Sequence, residues 1–311
     1  MRFSENTIGS KVLVLVCTLC AAVMMTVLPT ISSAGSKSGK LTIYVVNYPL
    51  KYFAERIAGE HATVVFPAPA DEDPAFWTPD TDTIVAYQKA DMILLNGAGY
   101  ARWVSKVTLP KSRLVDTSKN FKDHYIIMEE TVTHSHGQGG EHAHESTAFT
   151  TWIDLDLAAK QAGAAKRALI RKKPDLKGTF NNNYAVLARE LTALDREIKK
   201  IAARNQSQPL IGSHPVYHYL ARRYGLNIKS VHWEPDEVPD AGQMIEIRNL
   251  VKKHPARWMV WEGDPNESSV AKLKSLGISS LVFDPCGNVP ESGDFLTIMR
   301  RNAENLKQAF Q

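Results

Sequence analysis

Cysteine is scarce in this sequence, which contains three copies among 311 residues. Two of them, Cys17 and Cys20, lie within the first 34 residues, so the rest of the chain contains only Cys286. A single cysteine cannot form an internal disulfide, and the stability of this part must therefore come from a hydrophobic core. This excludes a small secreted scaffold held together by disulfides.

A strong charge of either sign is also missing. The formal net charge is +4, and the chain has no run of basic residues interleaved with aromatic ones. These two features exclude nucleic acid as the expected partner. Neither an HExxH helix nor a nucleophile elbow occurs, which argues against a hydrolase. The hydrophobic content of 44% and the charged content of 23% are typical of a globular protein.

Only one long hydrophobic run is present, and it lies near the N-terminus. It follows Arg2 and Lys11 and ends before Ser32 and Ala34, which suit the −3 and −1 positions of a cleavage site. We interpret residues 1–34 as a cleavable signal peptide and expect a periplasmic protein. A retained membrane anchor is the alternative, because about twenty apolar residues can span a bilayer.

From residue 41 onward, short β-branched runs alternate with stretches of helical spacing. Residues 35–173 and 206–311 each show this alternation, which predicts a parallel sheet covered by helices in each part. Residues 174–205 lie between them and carry apolar side chains at steps of three and four, namely Leu187, Leu191, Leu194, Ile198 and Ile201. The predicted fold class is α/β, with two lobes joined by one long rigid helix and a ligand cleft between them.

A histidine-rich stretch, THSHGQGGEHAHE, covers residues 133–145. Its two His-x-His pairs flank a glycine-rich turn and comprise His134, His136, His142 and His144. In an extended strand the members of each pair would point to opposite sides. Glycines allow the loop to bend so that several imidazoles converge on one ion.

Five segments together resemble one protein family. In order they are EDPAFWTPDTDTIVAYQKADMILLNGAGYARW, TTWIDLDLAAKQA, SHPVYHYLARRYGL, HWEPDEVPD and VFDPCGN. They resemble the zinc/manganese solute-binding proteins of bacterial ABC transporters, known as solute-binding protein family 9. The resemblance implies a monomer that binds a metal ion in the cleft and delivers it to a membrane permease and its ATPase without catalysing a reaction.

The resemblance also assigns four metal-ligand positions. Two carry suitable side chains here, His214 and Asp284. The other two carry Ala75, in the run DPA, and Thr150, before TWIDL. Zinc takes four ligands, or three and a water, from histidine, cysteine and carboxylates. His214 and Asp284 alone would therefore form a weak site.

Other residues are candidates to complete the site. The loop of residues 133–145 either collects zinc near the cleft, or donates ligands that replace Thr150 and Ala75, or is a solvated loop without a metal role. Nearby carboxylates are candidates as substitute ligands or as partners that orient His214, namely Glu72, Asp73, Glu234 and Glu262.

The expected function is capture of a divalent transition metal, with zinc favoured by the histidine-rich composition. The alternative is a protein of the same fold whose altered cleft carries a different metal, a metal complex or another small solute. An enzyme is not expected.

Overall fold

The computed structural model describes residues 39–128 and 146–311. Residues 40–311 cluster as one compact unit. The proposed signal peptide and the histidine-rich loop of residues 133–145 lie outside the described residues.

Two four-stranded parallel sheets form the framework and confirm the predicted α/β class. The first contains β1 (Leu41–Val45), β2 (Ala62–Val65), β3 (Met92–Leu95) and β4 (Leu114–Asp116) in the order β2-β1-β3-β4. The second contains β7 (Pro209–Gly212), β8 (Asn227–Ser230), β9 (Trp258–Trp261) and β10 (Ser279–Val282) in the order β10-β9-β7-β8. A two-stranded antiparallel ribbon joins β5 (Ile127–Met128) to β6 (Ser146–Thr147).

Eight α-helices lie in the described part of the chain. They are α1 (Tyr48–Ala58), α2 (Thr81–Lys89), α3 (Leu155–Lys172), α4 (Lys177–Ala202), α5 (His218–Tyr224), α6 (Ala241–Lys253), α7 (Glu267–Lys274) and α8 (Phe295–Lys307). Among these residues, no helix is both long and apolar enough to cross a membrane.

Local sequence accounts for several helix ends. The Asn47 side chain accepts a hydrogen bond from the Leu50 amide at the start of α1. Asp240 and Gln243 form a reciprocal capping box at the start of α6. These side chains satisfy amide groups that have no partner within the helix.

Helix α4 is the long helix predicted between the two α/β patterns. All five apolar residues of its predicted face are buried, from Leu187 to Ile201. The helix packs against α1, α3 and α8. A large core includes the first sheet and α4, while a second core around Trp233 and Trp261 lies in the second lobe. The lobe boundaries drawn at residues 173 and 205 stay predictions.

Candidate metal centre

Three of the predicted side chains lie at one edge of the second sheet. His214 comes two residues after β7, Glu262 directly after β9, and Asp284 two residues after β10. Because the strands are parallel, their carboxyl ends meet at the same edge. The strand order reverses between β7 and β9, and open α/β sheets bind ligands in the crevice at such a point.

His214 lies in a turn and not in a helix. Helix α5 begins only at His218, after this turn. The Val216 amide donates a hydrogen bond to the His214 carbonyl at 2.9 Å and closes the turn. The imidazole is therefore free of helical packing and is partly open to solvent, with 30% of the side chain exposed.

Two carboxylates flank the His214 ring, one beside each nitrogen. The Nε2 atom lies 3.7 Å from Glu234 Oε1, and the Nδ1 atom lies 3.8 Å from Glu262 Oε1. Both distances exceed a normal hydrogen bond. The ring of His232 stands edge-on to His214, with 5.5 Å between the ring centroids. The cluster therefore presents two imidazoles and two carboxylates near the ends of β7, β8 and β9.

Burial lowers the pKa of His214, and the neighbouring His232 lowers it further, although Glu234 and Asp73 oppose this effect. The ring therefore favours the neutral form, which is the form that binds metals. Burial raises the pKa of Glu262 to about 8, and the charges of Glu234, Asp73 and Asp284 add to the shift.

Asp284 is held in place by hydrogen bonds with the Cys286 amide and the Asn302 side chain. Its Oδ1 atom accepts a hydrogen bond from the Cys286 amide at 2.6 Å. The buried Asn302 side chain, on α8, accepts from the Asp284 amide at 3.0 Å and donates to the Asp284 carbonyl at 2.6 Å. Burial raises the pKa of Asp284, although the Cys286 hydrogen bond opposes the shift. Sequence reasoning missed Asn302, whose only signal was a polar residue within the apolar pattern LTIMRRNAENL.

The first lobe contributes the loop that contains Glu72, Asp73 and Ala75. Glu72 and Asp73 are exposed, whereas Ala75 is buried. Asp73 Oδ1 accepts a hydrogen bond from the Ala75 amide at 2.8 Å. The Asn288 side chain, which follows β10, donates hydrogen bonds to the Pro69 and Glu72 carbonyls, so the loop lies at this end of the second sheet.

Thr150 also lies beside the His214 turn. It is buried, and its Oγ1 donates a hydrogen bond to the Val216 carbonyl at 2.5 Å. Thr150 occupies a position where the resemblance predicts a metal ligand. Its hydrogen bond instead connects the first lobe to the turn that contains His214.

Within residues 39–128 and 146–311, no three histidine, cysteine or acidic side chains stand in positions to hold one ion together. The structure brings His214, Glu234 and Glu262 close together. The charges of Asp73 and Asp284 raise the pKa of Glu262. The predicted loop ligands His134, His136, His142 and His144 fall in the part of the chain that the structure does not describe.

Comparison with known proteins is consistent with this architecture. The chain is 27% identical over 310 residues to the zinc-binding lipoprotein AdcA of Streptococcus pneumoniae, covering 96% of this chain but only 60% of AdcA. It is 25% identical to the high-affinity zinc uptake system protein ZnuA of Bacillus subtilis, covering 90% of this chain and 91% of that protein.

Solved structures share the fold. The Zn(II)-bound ZnuA-like domain of Streptococcus pneumoniae AdcA superposes with a TM-score of 0.75 at 23% identity, over 87% of this chain and 99% of that one. The metal-dependent lipoprotein YcdH of Bacillus subtilis gives a TM-score of 0.74 at 21% identity, over 86% and 98% of the two chains. The sequence pattern of the ZnuA family, described as zinc-uptake complex component A, periplasmic, matches residues 43–309, and the chain belongs to this family.

Proposed function

We propose that this protein is the exported solute-binding component of a zinc uptake system. It captures zinc in the cleft and passes it to a membrane permease driven by an ATPase, without catalysing a reaction. The observation that carries this proposal is the position of the His214 imidazole, which lies between Glu234 and Glu262 at the point where the strand order reverses. Membership of the ZnuA family and relatives named as zinc-binding proteins support it.

In this proposal, His214 and Asp284 are two of the ligands. One nitrogen of His214 binds the ion, while the carboxylate beside the other nitrogen orients the ring. Asp284 Oδ1 already accepts a backbone hydrogen bond, which leaves its Oδ2 for the ion. Glu234, 3.7 Å from the His214 ring, and Asp73 of the first lobe are the carboxylates proposed to move toward the ion and replace the ligands lost at Ala75 and Thr150.

Calorimetric titration of zinc into the purified, metal-free protein tests the proposal. Loss of a partner that supports a ligand typically costs 10- to 100-fold in affinity, so His214→Ala should cost more than about 100-fold. His124→Ala is the matched control, because His124 is exposed and lies in the first lobe outside the cluster. Absence of tight binding by the wild-type protein would refute the zinc function.

A deletion of residues 133–145 separates the roles of the histidine-rich loop. If tight binding survives the deletion, the cleft holds the ion and the loop at most collects zinc. If tight binding disappears with the loop while His214→Ala has little effect, the loop histidines are the main ligands.

A second candidate is a cleft that takes a metal other than zinc. With Asp73 and Asp284 included, the candidate site has four acidic side chains and two imidazoles. Oxygen ligands suit manganese better than imidazoles do. Competition of manganese against zinc in the same titration distinguishes the two candidates. The expected periplasmic location and monomeric state are checked by cell fractionation and by light scattering.

A further inference from the structure

The segment from Asp284 to Asn288, after β10, touches the first lobe at three points. The Trp152 Nε1 atom donates a hydrogen bond to the Pro285 carbonyl at 2.7 Å. The Tyr48 amide donates to the Gly287 carbonyl at 3.0 Å. The third point is the side chain of Asn288. This short segment therefore connects a proposed metal ligand, Asp284, to the first lobe.

The Asn288 amide group faces three carbonyls of residues 69–72. Its Nδ2 atom lies 2.6 Å from the Pro69 carbonyl, 2.8 Å from that of Glu72 and 3.3 Å from that of Ala70. An NH₂ group has two hydrogens, so the two short contacts use both. The Oδ1 atom accepts from the Val289 amide at 2.7 Å. The reversed amide would place an oxygen against three carbonyl oxygens, so these contacts fix its orientation.

The loop that Asn288 holds continues directly into Asp73. The Phe76 and Trp77 amides donate to the Asp73 carbonyl, and the Ala75 amide donates to its carboxylate. Residues 73–77 therefore form one hydrogen-bonded turn, and displacement of residues 69–72 would move the Asp73 carboxylate with it. Asn288, which holds this loop, belongs to the same segment as Asp284, so the loop is fastened beside a proposed ligand. The charge of Asp73 also raises the pKa of His214 and of Glu262.

We propose that Asn288 is a positioning residue that fastens the loop of residues 69–77 over the candidate metal centre and slows escape of the bound ion. The inference rests on the proposed function for its effect on the metal, but the fastening of the loop can be measured without metal. In this proposal Asn288 acts through the backbone of the loop that carries Asp73 and is not itself a ligand.

Two variants of Asn288 test the proposal. Asn288→Ala removes both donors, and Asn288→Asp keeps the shape but turns an acceptor toward the three carbonyls. Asn227→Ala is the matched control, because its amide also donates to a loop carbonyl, that of Ser207 at 3.3 Å. Asn227 starts β8 and therefore lies at the opposite edge of the sheet from His214.

Two measurements are made on the full protein. Hydrogen–deuterium exchange of residues 69–77 is followed without metal, and zinc dissociation is followed by stopped flow against a chelator. The net loss of two hydrogen bonds corresponds to about five- to thirtyfold in an equilibrium. We expect faster exchange of this loop and faster zinc dissociation, each by about that factor, in both Asn288 variants. The melting temperature of the Asn288 variants should fall by only a few degrees, and the Asn227→Ala control should remain close to wild type.

The outcomes separate this proposal from the proposed function. If wild-type protein binds no zinc, the proposed function fails, and the exchange measurement still decides whether Asn288 fastens the loop. If wild-type protein binds zinc but both Asn288 variants exchange and release zinc at wild-type rates, the positioning role is overturned. It is also overturned if exchange rises while zinc dissociation is unchanged, or if Asn227→Ala produces the same effects.

Discussion

Arg223 joins three helices through buried carboxylates, and its replacement should strongly destabilise the protein. Its guanidinium, on α5, donates two hydrogen bonds of 2.8 Å to Asp195 on α4. It also lies 3.5 Å from Asp154, which caps the start of α3. Both acidic residues are only 5% exposed. Arg223→Met would keep much of the side-chain volume and remove the charge that these carboxylates share.

The magnitude follows from what remains around each carboxylate. Removing one partner of a buried ion pair typically costs about 3–5 kcal/mol, because it leaves a buried charge uncompensated. Lys199 stays 3.2 Å from Asp195, and Asp154 keeps its hydrogen bonds from the Asp156 and Leu157 amides. We therefore expect the lower end, about 3 kcal/mol in the free energy of unfolding.

The effect should depend on pH with a defined sign. Burial raises the pKa of Asp195, but the hydrogen bonds and charges of Arg223 and Lys199 outweigh it and hold the pKa below the usual value. The resulting stabilisation is complete above the unfolded pKa of about 3.9 and is lost as the pH falls through the folded pKa. In Arg223→Met, Arg223 no longer offsets the effect of burial, which raises the pKa of Asp195. Lowering the pH should therefore reduce the free energy of unfolding of the variant less than that of the wild type.

Urea unfolding of the metal-free protein, followed by circular dichroism at pH 7 and pH 4, measures both effects. The difference between wild type and Arg223→Met should be about 3 kcal/mol at pH 7 and smaller at pH 4. Arg222→Met is the control, because Arg222 is exposed and donates to the His124 carbonyl. A loss below about 1 kcal/mol at pH 7, or one that does not shrink at pH 4, would refute the assigned role of Arg223.

Two further substitutions test how the strand ends are held. Gly97→Ala should cost about 2–5 kcal/mol in urea unfolding, because Gly97 has φ +77° and a Cβ there would lie 1.9 Å from Ser118 Oγ; wild-type stability would contradict the described packing. Asn302→Leu should cost about 1–3 kcal/mol, because it leaves the Asp284 amide and carbonyl unpaired, and it should weaken zinc binding in calorimetry. Unchanged zinc affinity in this variant would show that Asn302 does not support a ligand.

Much of the fold could be predicted because its signals are local. The five apolar residues from Leu187 to Ile201 follow the helical period, and all of them are buried on α4. The short apolar runs that begin at residues 41, 62 and 92 are strands of the first sheet. A run of four or five residues does not indicate where its strand ends, because the hydrogen bonding of the sheet sets the strand ends.

Elements without a clear local signal were missed. Strand β4 has three residues, which is too short for a period, and its place is decided by pairing with β3. Helix α8 was overlooked because Arg300, Arg301 and Asn302 interrupt its apolar residues. In the structure, the polar Asn302 is buried because it bonds to the backbone of Asp284, a partner 18 residues away in sequence.

The sequence by itself determined the elements with a clear period, such as α4, and which residue types are available to bind a metal, because backbone period, caps and side-chain chemistry are local properties. Only the tertiary structure decided which of these residues meet. His214, Glu262 and Asp284 are separated by 48 and 22 residues, and they converge because their strands pair in parallel and end at one edge. The bond from Thr150 to Val216 and the contacts of Asn288 with residues 69–72 likewise depend on the packing of distant segments, which no local pattern contains.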